Sequence, residues 1–218
     1  MKPKLTSYWR SSSAWRVRIG LALKGIEHEL VLVHLLRGGG EQLSHDFSDK
    51  NPMHQVPVLE IEGPQGVFRV TQSMAILEYL DELVPDPPLL PKTLELRAHA
   101  RELAEIVNSG IQPLQNLRFL REVKALGADP QPVTRSYITT GLAALERHAV
   151  ASAGRFLVGD EISIADLYLV PELYSARRFG VDVEPYGTLL RVERACEALP
   201  AFQRAHPNAQ PDFDPNAK

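Results

Sequence analysis

One cysteine, Cys196, is all that the 218-residue chain contains, so an intramolecular disulfide is excluded. No apolar run approaches the roughly 18 residues that a membrane span needs. The first ten residues, MKPKLTSYWR, hold no apolar signal core. Together these absences predict a cytoplasmic protein with no membrane partner. There is no basic excess either: 24 Lys and Arg stand against 27 Asp and Glu, a formal net charge of −3, so nothing favours nucleic acid or an anionic surface. None of the seven histidines sits in an H-E-x-x-H or Cys/His spacing, and no metal is expected. Internal repeats are absent as well. What is present, 44% hydrophobic and 23% charged residues, suits a globular chain of one large or two small domains, with small molecules or proteins as partners.

The most informative stretch is YWRSSSAWRVRIGL, from Tyr8 to Leu21. Residues 5–8 read as a short strand, Ser11, Ser12 and Ser13 are good helix N-caps, and Trp15, Ile19 and Leu23 recur at helical spacing. The serines thus stand at a strand-to-helix turn, where free backbone N–H groups, hydroxyls and the positive end of a helix dipole favour an anion. Plain capping is the other reading of the same three residues. After the Lys24-Gly25 stop, residues 29–34 form a second strand, parallel to the first through the intervening helix. The glycines of residues 37–41 lack the Gly-Lys-Ser/Thr of a phosphate loop and read as a flexible connection.

Residues 58–61 and 67–71 make a hairpin around Gly63-Pro64. Pro57 heads its first strand; most such prolines are trans, whereas a cis bond would turn the backbone of Val56 outward. Residues 72–83 form the next helix, with Gln72 and Ser73 at its start, a second anion-friendly turn in one small sheet. The stretch PDPPLLP, residues 85–91, is the linker, and everything beyond it reads helical: 94–126, 132–150, 163–179 and 186–199, with stops at Gly127, Gly154 and Gly180. Ser163 and Asp166 form a capping box, and residues 206–218 read as extended or mobile.

The stretches SSSAWRVRIGLALKG, NPMHQVPVLEI, TQSMAILEYL, GIQPLQNL, VGDEISIADLYLVP, RRFGVDVEPY and AFQRAHPNAQPD resemble, in order and over nearly the whole chain, the zeta class of the glutathione transferases. This resemblance implies an α/β plus all-α fold. A thioredoxin-like β-α-β-α-β-β-α domain would cover residues 1–84, a linker 85–91 and a helical-bundle domain 92–218. It also implies glutathione as cofactor and a homodimer, with residues 72–83 and the helix from residue 94 at its interface. The implied activity is cis-trans isomerisation of maleylacetoacetate in phenylalanine and tyrosine breakdown, by reversible thiolate addition. Alternatives are maleylpyruvate isomerisation, a conjugating transferase or peroxidase and, from another class, a non-catalytic interaction module.

By resemblance the catalytic turn is Ser11, Ser12 and Ser13, continuing through Ala14, Trp15 and Arg16. Gln42 and Gln55 would lie near the glycine arm of glutathione, the backbone of Val56 would pair with its cysteinyl unit, and Gln72 with Ser73 would clamp the γ-glutamyl carboxylate. Gln112, Asn116, Leu117 and Arg118 would come from the second domain. The class usually has cysteine where this chain has Ser13. A serine hydroxyl is far too weak a base to take the thiol proton, so Ser11 is assigned hydrogen bonding to a thiolate whose unperturbed pKa is about 8.5. A dicarboxylate substrate needs cations, and Arg10, Arg118 and Arg178 are the candidates through bidentate pairing. Arg16 and Arg18 read as structural ion pairs of the first helix, and Arg177 as solvent-exposed or useful.

Overall fold

In the computed structural model, which describes residues 2–216, four short strands form one mixed sheet: β1 (Lys4–Ser7), β2 (Glu29–Leu32), β3 (Val58–Gly63) and β4 (Gly66–Thr71). Their spatial order is β2-β1-β3-β4, with β1 parallel to β2 and antiparallel to β3, and β3 antiparallel to β4. The parallel pair is joined by α1 (Ser12–Leu23), the hairpin leads into α3 (Ser73–Leu83), and the short α2 (His45–Ser48) lies between β2 and β3. Leu5 stands opposite Leu30 and Leu59 in the ladder. That register gathers Leu5, Val17, Leu21, Leu59, Ile76 and Leu80 into one apolar cluster between the sheet and the two helices. A second cluster, Tyr8, Trp9, Ala14, Phe47, Val56 and Val58, lies under the turn that follows β1.

Gly25 ends α1 with φ +64°, as the Lys24-Gly25 stop predicts. The loop after β2, expected as a flexible connection, contains local hydrogen-bonded structure. Gly38, Gly39 and Gly40 all take positive φ within two 3-10 turns, and the loop is closed by Glu41, which donates its N–H to the His34 carbonyl (3.0 Å) while its carboxylate accepts the His34 N–H (2.7 Å).

The helical elements are α4 (Leu94–Asn108), α5 (Leu117–Ala125), α6 (Gln131–Ser152), α7 (Ile164–Arg178), α8 (Gly187–Glu197) and α9 (Pro200–Ala205). The single helix expected over 94–126 is broken into α4, a 3-10 turn at Gln112–Gln115 and α5. Pro113 has no N–H to continue the ladder, and Asn116 caps the new helix by accepting the Arg118 N–H (3.0 Å). Among the described residues no helix is long and apolar enough to cross a membrane.

The described chain divides into two compact units: one runs to Pro87 and takes in the chain from Pro200 onward, the other is Pro88–Leu199. The first boundary falls inside the proline-rich stretch. The second differs from the expectation that residues 92–218 form one domain. The closing segment belongs with the sheet unit because α9 lies along α1, where the Arg18 Nε donates to the Ala205 carbonyl (3.1 Å) and Trp15 meets His206 edge to face (5.2 Å). Residues 206–216 are correspondingly ordered, with a 3-10 turn at Pro207–Ala209; residues 217–218 of the expected tail lie outside the described residues.

In the second unit α7 is buried along most of its length against α4 and α8. Its capping box forms as expected: Asp166, fully buried, accepts the Ser163 N–H (2.8 Å), the Ser163 hydroxyl (3.0 Å) and the Leu157 N–H (2.8 Å). Burial pushes its carboxyl up to about 6, against the pull of those hydrogen bonds. Between pH 4 and 6 the folded chain therefore keeps a proton there that the unfolded chain has released, so this group's contribution to stability falls as pH rises through that window and is level above it. The unfolding free energy of the wild type, compared with that of Asp166→Asn by urea titration, should lose on the order of 2 kcal/mol relative to the variant from pH 4 to 6. A relative gain over that range would contradict the shift.

Candidate functional site

The turn after β1 is built on Ser11. Its N–H donates to the Tyr8 carbonyl (3.0 Å), its carbonyl accepts the Trp15 N–H (2.8 Å), and its hydroxyl oxygen accepts the Ala14 N–H (3.2 Å). The hydroxyl proton is left for another acceptor. The first turn of α1 carries no acidic residue, and the N–H groups of Ser12 and Ser13 have no acceptor within the helix, so the positive end of the dipole meets no counter-charge of the helix's own. Ser11, Ser12 and Ser13 are each partly exposed; Ala14, Trp15 and Arg16 are buried. Those three of the expected binding residues therefore shape the turn from beneath. The Arg16 Nη1 donates to the Ser73 hydroxyl (3.4 Å), which ties the start of α1 to the start of α3.

Two further residues hold this turn, and the sequence reading assigned neither to it. Arg18, 3% exposed, does not serve α1 alone: it donates to the Ser7 hydroxyl (2.9 Å), the Tyr8 carbonyl (3.3 Å) and the Trp9 carbonyl (3.0 Å), besides Ala205. Burial lowers its pKa to about 9, opposed by the charge of Asp212. Asp212 in turn accepts the Trp9 N–H (2.9 Å), and Phe213 meets the Trp9 ring edge to face (5.1 Å). The run of small and polar residues around Asp212 carries no local signal for such a role.

Val56 is the second element. The Val56–Pro57 bond is cis. Val56 lies outside β3, and among the described residues neither its N–H nor its carbonyl has a hydrogen-bond partner. A residue with both backbone groups free can pair with a peptide-like ligand as an edge strand does. The preceding loop is held by Asn51, whose Nδ2 donates to the Gln55 carbonyl (2.7 Å) and whose Oδ1 accepts the Met53 N–H (3.0 Å), and by His54, whose Nδ1 lies 2.9 Å from the Gln42 carbonyl. Gln55 stays partly exposed. Gln42 does not: its side chain is turned inward, Nε2 donating to the Leu35 carbonyl (3.4 Å), and a side chain at Gly40 would collide with it.

Gln72 is the third element. It takes φ +69°, ψ 119°, a sparsely populated conformation for a residue with a side chain that costs on the order of 1–3 kcal/mol. Its carbonyl accepts the Ile76 N–H (3.0 Å), while its side chain is exposed and caps nothing. Ser73 is buried, and the first turn of α3 again carries no acidic residue. The cluster under Tyr8 brings Val56 to the Ser11 turn, and the Arg16–Ser73 bond brings the Gln72 turn to it. Two uncompensated helix N-termini and one residue with an unpaired backbone suit a short peptide with an anion at two places. Glutathione, with a thiol and a γ-glutamyl carboxylate on a peptide backbone, fits that set. The chain's own thiol does not compete as a nucleophile, since Cys196 is fully buried and burial pushes its pKa up.

The expected carboxylate holders are placed unequally. Arg10 follows Trp9, partly exposed with its guanidinium 5.3 Å from that ring's centre. In the helical unit Gln112 lies in the 3-10 turn, Asn116 caps α5, Leu117 is partly buried, and Arg118 is exposed and paired with Glu122 (2.8 Å). Arg178 is exposed over the Phe179 ring (4.8 Å), whereas Arg177 is engaged by Glu193 through both terminal nitrogens (2.5 and 2.6 Å).

Residues 10–83 match the glutathione S-transferase N-terminal domain and residues 139–204 the C-terminal domain of the same family. The maleylacetoacetate isomerase of Rattus norvegicus is 49% identical over 97% of this chain and 95% of its own. The chain belongs to the glutathione S-transferase family, in its zeta class. Within the class, a maleylacetoacetate isomerase from Anaeromyxobacter dehalogenans 2CP-1, solved with glutathione in its active site, is 53% identical with a TM-score of 0.90 over 98% of both chains. A zeta-class bacterial maleylpyruvate isomerase is 40% identical, with a TM-score of 0.89 over 97% of this chain and 100% of that one. The thioredoxin-like sheet and the separate helical region are those of the family.

Proposed function

We propose that this zeta-class chain is a glutathione-dependent maleylacetoacetate isomerase, turning the cis alkene of its substrate into the trans one and returning glutathione unchanged. Bound glutathione supplies a thiolate that adds reversibly to an alkene conjugated with a carbonyl, which lets the former double bond rotate. The residues of this chain do the rest. Ser11 donates a hydrogen bond from its free hydroxyl to the sulfur, and the N–H groups of Ser12 and Ser13 with the helix dipole add to the stabilisation of negative charge there. Val56 pairs its backbone with the peptide, Gln55 flanks it, and Gln72 with the N-terminus of α3 holds the carboxylate. The observation that carries this reading is the start of α1: a hydroxyl with its proton free, at a helix N-terminus without an acidic residue. The serine at position 13 is no obstacle, because the nucleophile belongs to the cofactor.

Arg10, Arg118 and Arg178 are the proposed partners of the substrate carboxylates, Arg178 foremost because its guanidinium is exposed over the Phe179 ring. Arg178→Ala should raise KM for the dicarboxylate about tenfold while leaving glutathione affinity unchanged. Steady-state kinetics with each component varied in turn decides this, and parallel losses in both would make Arg178 structural. We place the reaction in cytoplasmic phenylalanine and tyrosine breakdown and the enzyme in a homodimer, for which sedimentation is the test. Maleylpyruvate differs beyond the reacting alkene, and comparing kcat/KM for the two substrates separates the readings.

A further inference from the structure

We propose that His99, Glu102 and His148 form a binding site for a divalent transition metal, Zn2+ above all, on the helical unit. His99 and Glu102 stand one turn apart on α4, and His148 comes from α6. The His99 Nδ1 lies 2.8 Å from the Glu102 Oε2, the His148 Nδ1 lies 3.9 Å from the same oxygen, and one ligating atom from each residue falls within 4.8 Å of the others. A tetrahedral Zn2+ with bonds of about 2.0–2.2 Å keeps its ligands roughly 3.3–3.5 Å apart. The observed separations, 2.8 and 3.9 Å from the Glu102 oxygen, straddle that value.

The donors are right in kind. Two imidazoles and one carboxylate are ligands Zn2+ takes readily, and three protein ligands leave a fourth position for water. The site is reachable, since the three side chains are 24%, 53% and 45% exposed in chain order. His-x-x-Glu alone is no recognised signature, and the third ligand is remote in sequence, so a search by spacing passes it over. An ion there joins α4 to α6 and stabilises the folded chain by mass action. Without it, Glu102 serves as a shared ion-pair acceptor for the two histidines when they are protonated.

Calorimetric titration of the chelator-treated full chain with Zn2+ near pH 7.5, alongside thermal melts, tests the site. One Zn2+ per chain is expected, with a rise in melting temperature. His99→Ala and His148→Ala should each weaken binding by about tenfold or more and abolish the rise, while circular dichroism and glutathione-dependent turnover stay as in the wild type. Absence of binding in the wild type, leaving a salt bridge only, overturns the proposal. So does binding that neither substitution weakens, which would assign the ion to other histidines.

Discussion

Ser11→Ala should lower turnover by about one to three powers of ten, the range for removing one donor aimed at developing negative charge. The variant keeps the helix N-terminus and the N–H groups of Ser12 and Ser13, so the loss is not total. Without the hydroxyl the bound thiol should ionise at higher pH, and the rising limb of the pH–rate profile should move upward by about a unit, about 1.4 kcal/mol. Ser11 also accepts the Ala14 N–H, so the variant loses a cap worth about 1 kcal/mol of stability. Ser11→Thr keeps both functions and should restore most of the rate. A pH profile shift in the alanine variant, reversed in the threonine variant, distinguishes thiolate stabilisation from mere capping. Wild-type rates in Ser11→Ala would move the role to Ser12 or Ser13.

Arg18→Met should be the most destabilising single change near the site. The guanidinium serves four acceptors, the Ser7 hydroxyl and the Tyr8, Trp9 and Ala205 carbonyls, from a buried position. Methionine fills much of the volume and satisfies none of them. Leaving several buried acceptors of a charged donor unpaired costs about 3–5 kcal/mol, as does breaking a buried charged network. Lysine is no substitute, because it lacks the planar fork that reaches several acceptors together. Asp212→Asn, which retains an acceptor for the Trp9 N–H but not its charge, should cost far less, about 1 kcal/mol. Urea denaturation reads both effects, and a loss below about 1 kcal/mol in Arg18→Met would mean that water replaces the guanidinium at little cost.

The parts of this fold legible in the sequence are those that local chemistry decides. A parallel pair needs a crossover helix, and Ser11, Lys24-Gly25 and Gln72-Ser73 mark where the helices start and stop within a residue or so. The Ser163–Asp166 box is likewise local and formed as read. Two of the misses share a cause, partners distant along the chain. Asp212 looks like tail until Trp9, 203 residues earlier, is placed against it, and Arg18 looks like a helix ion pair until the Tyr8 and Trp9 carbonyls are seen around it. Apolar periodicity carried the reading of one helix through residues 94–126, although Pro113 and Asn116 stop and restart it. Whether Val56–Pro57 is cis was undecided by any neighbouring residue; it is cis. The resemblance puts Gln42 near the glycine arm of glutathione, and in the fold its Nε2 donates to the Leu35 carbonyl.

The central claim is that this chain uses glutathione catalytically. Maleylacetoacetate in large excess over a small amount of glutathione should be converted to the trans isomer well beyond the glutathione supplied, with total free thiol constant from start to finish. Thiol falling by one equivalent per product, or no conversion at all, would contradict the claim.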